Sequence, residues 1–258
     1  MTKTKKIVML SGKDHYSLMM YNGLKDHYNI EKVIVEEAVD RKKFLKRRIK
    51  RLGYFKVFGQ ILFQLFIVKL LRMTSKAKIA ALKEKYQLKE TPIDQDKILN
   101  ATSINSKASR ELLEEIQPDI IIVNGTRIIS KKILGCTNAI FINTHAGITP
   151  KYRGVHGGYW ALAHKDKENC GVTVHLVDPG IDTGGILHQA IVEVEANDNF
   201  VTYPYIQLAK GIELMKQTLG EAIVQDKLET KEGTKESFLW YHPTIWYYLY
   251  HRVFKGVR

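Results

Sequence analysis

Apolar positions along this chain fall into short unbroken runs, separated by longer stretches of helical period. Ile7-Val8-Met9-Leu10 stops at Ser11-Gly12, which predicts a strand and a turn, and Lys32-Val33-Ile34-Val35 predicts a second strand with a helix over 17–28 between them. Residues 118–125 form the clearest strand, with helical residues 106–117 before it. Residues 139–143 read as another strand, residues 171–177 alternate Val172, Val174 and Leu176 against polar neighbours, and residues 202–224 read as a helix. Unbroken apolar strands joined by helices need cover on both faces, as in a parallel sheet. The expected class is therefore α/β, a doubly wound, mostly parallel, Rossmann-like sheet. A helical insert at 41–89 and a short C-terminal extension over 201–258 complete the expected organisation.

Composition changes this picture in one place. The 258 residues are 45% hydrophobic, enough for one large core. The apolar run near the N-terminus is too short for a signal peptide, so an exposed N-terminus and a cytoplasmic protein are expected. Cys136 and Cys170 are isolated in sequence, which predicts no disulfide framework and no metal site. The formal charge is +13, yet residues 41–89 hold 16 Lys or Arg against one acid, Glu84, and the rest of the chain nets −2. A nucleic-acid binder more often spreads such charge over a whole face, so no nucleic-acid partner is expected. Within the insert, residues 41–51 are basic and residues 57–68 carry no charge. A span needs roughly 20 apolar residues, so this run reads as too short to cross a bilayer. Burial on the sheet or against a second subunit is expected, in a homodimer. The alternative is weak contact with an anionic membrane surface.

Candidate chemistry gathers in residues 141–154 and 171–187. Asn143 and His145 are two apart at the end of a buried strand, so both side chains can project to one side. Open α/β sheets bind their ligands at such carboxyl ends. An amide donor beside an imidazole can stabilise an oxyanion and manage a proton in one small volume. Asp182 sits between Gly180 and Gly184-Gly185, where backbone can approach a ligand and a carboxylate can orient the imidazole. Each residue alone has an ordinary reading, as turn former, surface histidine or cap. Together they mark a site.

This pattern resembles the folate-dependent formyltransferase superfamily, which includes glycinamide ribonucleotide, methionyl-tRNA and nucleotide-sugar enzymes. The resemblance runs from Lys6 to about Val194, broken by the basic insert. It rests on Asn143-x-His145 with Asp182, on Pro150, Arg153-Gly154 and Trp160, and on Gly171-Val172-Thr173 and Asp182-Thr183-Gly184. It implies a Rossmann-like formyltransferase domain over 1–200, acyl transfer by Asn143, His145 and Asp182, and N10-formyltetrahydrofolate as formyl donor. It also implies donor contacts from Gly125, Thr126, Arg127, Ile128 and Ile129 and from Asp178, Pro179, Gly180 and Ile181.

Departures from the superfamily narrow the acceptor. About 60 residues follow Glu195, too few for the C-terminal barrel of the tRNA-directed enzymes. Ser11-Gly12-Lys13-Asp14-His15 keeps only part of the phosphate loop of the glycinamide ribonucleotide enzymes. The nucleotide-sugar branch remains, with a UDP- or dTDP-linked amino-dideoxy sugar as acceptor, for surface polysaccharide or lipopolysaccharide synthesis. Ser11, Gly12, Lys13 and Arg153 are the expected phosphate contacts, and Trp240 and Tyr241 the expected base-stacking residues, with core or subunit packing as the alternative for the aromatics, preferred for most of them, and anchoring of the loop after the catalytic strand as an equal reading of Arg153. Competing readings are a tRNA-directed formyltransferase without its barrel, a hydrolytic deformylase, and a non-catalytic basic binder of membranes or nucleic acid.

Overall fold

The apolar runs become the strands of one sheet. The structure is a computed structural model describing residues 5–225 and 227–258; the expected exposed N-terminus falls on residues 1–4, outside the described residues. β1 (Ile7–Ser11) is followed by α1 (His15–Leu24), whose first turn is capped by Asp14, and by β2 (Ile30–Glu36). Next come α2 (Arg41–Leu52) and one continuous helix, Tyr54–Thr74, composed of α3 (Tyr54–Leu62), a π-helical stretch (Phe63–Val68) and α4 (Lys69–Thr74). α5 (Lys76–Lys85) ends the insert. β3 (Ile98–Ala101), α6 (Lys107–Ile116), β4 (Ile120–Asn124), α7 (Lys131–Leu134) and β5 (Ile140–His145) continue the α/β alternation. Beyond them lie β6 (Arg153–Gly154), α8 (Gly157–Ala163), β7 (Gly171–Leu176), β8 (Ile186–Ile191), α9 (Tyr203–Val224), β9 (Leu239–Trp240) and α10 (Ile245–Lys255).

The main sheet has seven strands in the order β3-β2-β1-β4-β5-β7-β8. Strands β1 to β5 pair in parallel, and β7 and β8 are antiparallel additions at one edge. This matches the doubly wound, mostly parallel expectation. Chain order reverses direction between β1 and β4, so their carboxyl ends, Ser11 and Asn124, border the crevice where such sheets take ligands. Two apolar cores cover the two faces, one around α1 and α9 and the other around α6 and Ile104.

Two expectations change. The uncharged run at 57–68 belongs to a 21-residue helix, long and apolar enough by length and composition to cross a membrane, because helix continues through the exposed Lys56 and Lys69. Within residues 201–258, α9 packs on β7 and β8 and its Ile212, Met215 and Leu219 enter the core. That helix is part of the main fold.

Candidate functional site

Strand pairing positions the chemistry. Asn143 lies opposite Val123 on the β4 side and opposite His175 on the β7 side, and His145, the last residue of β5, lies opposite Thr173. Both candidates thus stand within the strand, at its carboxyl end. The amide Nδ2 of Asn143 donates to Nε2 of His175 at 3.1 Å, and Nδ1 of His175 lies 2.7 Å from the Leu176 carbonyl, so that ring carries its proton at Nδ1.

Asp182 arrives from the loop after β7, in the left-handed region at φ +51°. Gly154 N donates to its Oδ2 at 2.9 Å, Nδ1 of His145 is 3.4 Å from the same oxygen, and Nε2 of His175 is 3.6 Å from Oδ1. Burial pushes this carboxyl up, but the adjacent His145 and the Gly154 amide outweigh it and hold it at about 2. It is an anion at any ordinary pH. Each ring nitrogen of His145 faces an acceptor, because Nε2 lies 2.7 Å from the Tyr152 carbonyl. A neutral ring has one N–H for two acceptors, and a second proton would satisfy both. The three predicted catalytic residues form one connected group, and His175 joins it.

Two cavities meet at this group. One, of about 220 Å³, is bordered by residues 125–129, Asn143, His175, Asp178, Gly180, Ile181 and Asp182. Eight of the nine expected donor contacts line it; Pro179 does not. The loop at its mouth is fixed from behind, since Arg127 N donates to Glu36 Oε1 at 2.6 Å and the Arg127 guanidinium donates to the Glu37 carbonyl at 2.7 Å. Gly125 has φ +68°, and a Cβ there would lie 2.7 Å from Asp14 Oδ2.

The other cavity holds about 870 Å³ and is bordered by His145. Gly125 and Gly154 border both spaces. Its walls include Tyr16, Tyr205 and Phe200, with Gln64, Val68 and Arg72 from the insert. His156 and His242 also line it. Nδ1 of His242 accepts from Gln64 Nε2 at 3.0 Å and lies 2.9 Å from His156 Nε2. Burial, then the nearby Arg48, holds His242 down at about 4, and burial with the charges of His242 and Arg48 pushes His156 well below its ordinary value.

None of the six expected acceptor contacts borders this space. Ser11 Oγ donates to the Gly12 carbonyl, and Gly12 N donates to the Asn124 carbonyl at 3.0 Å. Lys13 is exposed. Arg153 donates to Ser237 Oγ and the Ile181 carbonyl, both at 3.0 Å, which anchors the loop of Asp182. Trp240 stacks on Trp160 with centroids 4.7 Å apart, and Tyr241 lies under the Arg51 guanidinium at 5.2 Å. Packing inside the fold, the alternative reading for the aromatics, is where the structure puts Trp240.

Sequence reasoning missed His175, Tyr152 and the insert's share of the larger cavity. His175 carried a signal, a titratable side chain inside an apolar alternating strand. The cavity walls carried none, because they come from segments far apart in sequence.

A formyl transferase family model matches residues 65–218. A methionyl-tRNA formyltransferase of Caldanaerobacter subterraneus subsp. tengcongensis is 31% identical over 144 residues, 54% of this chain and 46% of the relative. Another, of Methylacidiphilum infernorum, is 35% identical over 127 residues, 49% of this chain and 39% of the relative. The chain spans less than half the length of these curated relatives. Among solved structures, an N-formyltransferase of Helicobacter canadensis in complex with folinic acid and dTDP-3-aminofucose superposes with TM-score 0.55 at 19% identity, over 92% of this chain and 70% of that one. A 4-N formyltransferase of Francisella tularensis gives TM-score 0.56 at 18% identity, over 91% and 75%. Phosphoribosylglycinamide formyltransferase of Bacillus halodurans gives 0.54 at 18% identity, over 86% and 97%. At these identities the superpositions establish a shared fold, and with the model matching more than half of its residues, the chain belongs to the formyl transferase family.

Proposed function

We propose that this chain is an N-formyltransferase that moves the formyl group of N10-formyltetrahydrofolate to the amine of a nucleotide-linked amino sugar. The observation that carries the reading is the meeting of two cavities at Asn143, His145 and Asp182. A donor head in the smaller space and an acceptor amine in the larger one would face each other across the same three side chains. The donor loop suits a flat polar ring, because residues 125–129 offer backbone at a glycine where no Cβ fits.

In this reading the amine nitrogen attacks the formyl carbon and a tetrahedral oxyanion forms. One Asn143 N–H is held by His175, and the other is free to donate to that oxygen, while a protonated His145, held between Asp182 and the Tyr152 carbonyl, would stabilise it by its charge. Such donors are each typically worth about 10²–10³ in rate. Asp182 begins as an anion that keeps the imidazolium in place, takes up the proton lost by the amine, and returns it to the departing N10 as the C–N10 bond breaks. The products are the formamide and tetrahydrofolate.

The larger cavity favours an acceptor of nucleotide-sugar size, since ligand pockets run from about 300 to 1,000 Å³. Arg72 is a cation suited to a pyrophosphate, and the Tyr16 and Tyr205 rings, 5.4 Å apart, offer faces for a base. The Helicobacter canadensis structure with folinic acid and dTDP-3-aminofucose fits this reading. A second reading, formylation of methionyl-tRNA, rests on the curated relatives and on the basic insert. The deciding experiment offers UDP- and dTDP-amino sugars and charged initiator tRNA with N10-formyltetrahydrofolate, following tetrahydrofolate release and product mass. Formylated sugar nucleotide is expected. Salt-sensitive formylation of the tRNA alone would overturn the sugar assignment.

A further inference from the structure

The insert presents a surface that the reaction does not use. α2 has eight Lys or Arg among its twelve residues and buries none of them. The Tyr54–Thr74 helix is seated on the domain by one stripe, with Val57, Gln60, Phe63 and Val68 buried. Phe63 packs against Phe200 and Tyr248, with centroids 4.8 and 5.1 Å away, and Gln60 Nε2 donates to the His242 carbonyl at 2.6 Å. The opposite stripe is apolar and open to solvent. Phe58, Ile61, Leu65 and Phe66 follow helical spacing along it, Phe66 being 62% exposed.

α10 carries a second exposed apolar stripe. Leu249, Tyr250, Val253 and Phe254 are exposed on it, Phe254 by 73%. The two helices are locked together where Trp246 stacks on Phe55 at 4.4 Å and fills the space a Cβ would take at Gly59. Charge follows the same outline, because neither residues 41–83 nor residues 237–258 contain any Asp or Glu. So many exposed large apolar side chains on two adjoining helices are unusual on a protein surface that meets only water.

We propose that this face docks flat on an anionic phospholipid bilayer. The apolar stripes of Tyr54–Thr74 and α10 enter the headgroup boundary, while the cations of α2 pair with lipid charge. Length alone would let the Tyr54–Thr74 helix span. However, its inner stripe is held to the domain by Phe63 and by the bonds of Gln60 and Gln64 to His242, so it lies along the surface. Self-association through this face would bring α2 cations of two copies together, which like-charge repulsion opposes. The inner side of the same helix walls the larger cavity with Gln64, Val68 and Arg72, so that cavity sits about 10 Å, one helix diameter, from the lipid.

The test is co-sedimentation of the full chain with vesicles of phosphatidylcholine alone and of phosphatidylcholine mixed with phosphatidylglycerol. Binding to the anionic vesicles is expected, weakened by salt and released by an alkaline carbonate wash. A basic residue at such a surface is worth roughly fivefold in partitioning, so K46E/R47E/K50E should weaken binding at least on the order of 10²-fold. L65S/F66S/V253S/F254S should weaken it on neutral and anionic vesicles alike while leaving the thermal midpoint near that of wild type. No binding to anionic vesicles at low salt would overturn the proposal. So would equal affinity for both vesicle types, retention through the carbonate wash (a spanning helix), or a dimer in lipid-free solution that the apolar variant splits without changing vesicle binding.

Discussion

Asp182 holds a backbone conformation that costs a non-glycine residue energy, yet its carboxylate is the contact common to His145, His175 and Gly154 N. An asparagine tolerates the left-handed region, so Asp182→Asn removes the charge without adding strain. Its kcat, like that of Asn143→Ala and His145→Ala, should fall on the order of 10²–10³-fold with thermal midpoints close to wild type. Near-normal formyl transfer by His145→Ala would remove the assignment. Gly147 gives a sharper test of geometry. A Cβ there would sit 2.8 Å from His145 Nε2 and 2.5 Å from the Tyr152 carbonyl oxygen, the two atoms of one hydrogen bond. Gly147→Ala should therefore lower kcat at least tenfold, on the order of 1.4 kcal/mol of barrier, and leave the donor KM little changed. A variant whose KM rises while kcat holds would show that the His145 anchor is irrelevant to chemistry.

Elements differed in how much of them the chain revealed. β1, β2, β4 and β5 were legible because central strands bury both faces and so read as apolar runs, and β7 was legible by its alternation. β3 and β8 sit at the sheet edges, where half-buried positions such as Leu99 and His188 blur the signal. Asn143, His145 and Asp182 were legible as a motif, and the donor loop came from resemblance. The larger cavity was not legible, because α1, the insert, β6, α8 and α9 assemble it only in three dimensions. Two predictions belong here. The donor loop should sense backbone more than side chain, so Gly125→Val should raise the donor KM sharply while Thr126→Ser stays within about twofold, a surface-scale effect; comparable KM values would refute backbone recognition. The insert should sense the acceptor. Arg72→Ala loses a charged contact worth about 1.5–3 kcal/mol, so the acceptor KM should rise roughly tenfold or more with the donor KM unchanged. An unchanged acceptor KM would take the insert out of recognition.

At the scale of the whole molecule, the insert is tied to the catalytic domain through buried polar groups, and that tie has a pH signature. Nδ1 of His242 accepts a hydrogen bond from Gln64, on the insert, and lies 2.9 Å from Nε2 of His156, at the start of α8. A proton on that nitrogen would end the bond from Gln64. Burial and the charge of Arg48 hold His242 at about 4 against an ordinary 6.5, and His156 is displaced in the same direction. The unfolded chain therefore takes up protons near pH 6.5 that the folded chain refuses until about pH 4. Stability is full above pH 6.5 and declines as pH falls toward 4, by at most about 1.4 kcal/mol per pH unit for each such histidine. Asp182 acts in a lower window, since its contribution is intact above pH 3.8 and is lost as pH falls toward 2. Urea midpoints should thus drop between pH 7 and pH 5, well before carboxylates of ordinary acidity protonate. His242→Asn supplies an acceptor oxygen near the place of Nδ1 and cannot titrate, so its midpoint should drop less over the same interval, with His156, His15 and His251, which burial also holds below their ordinary value, accounting for the remainder. A drop as large as that of wild type would mean that the acid sensitivity arises elsewhere in the fold.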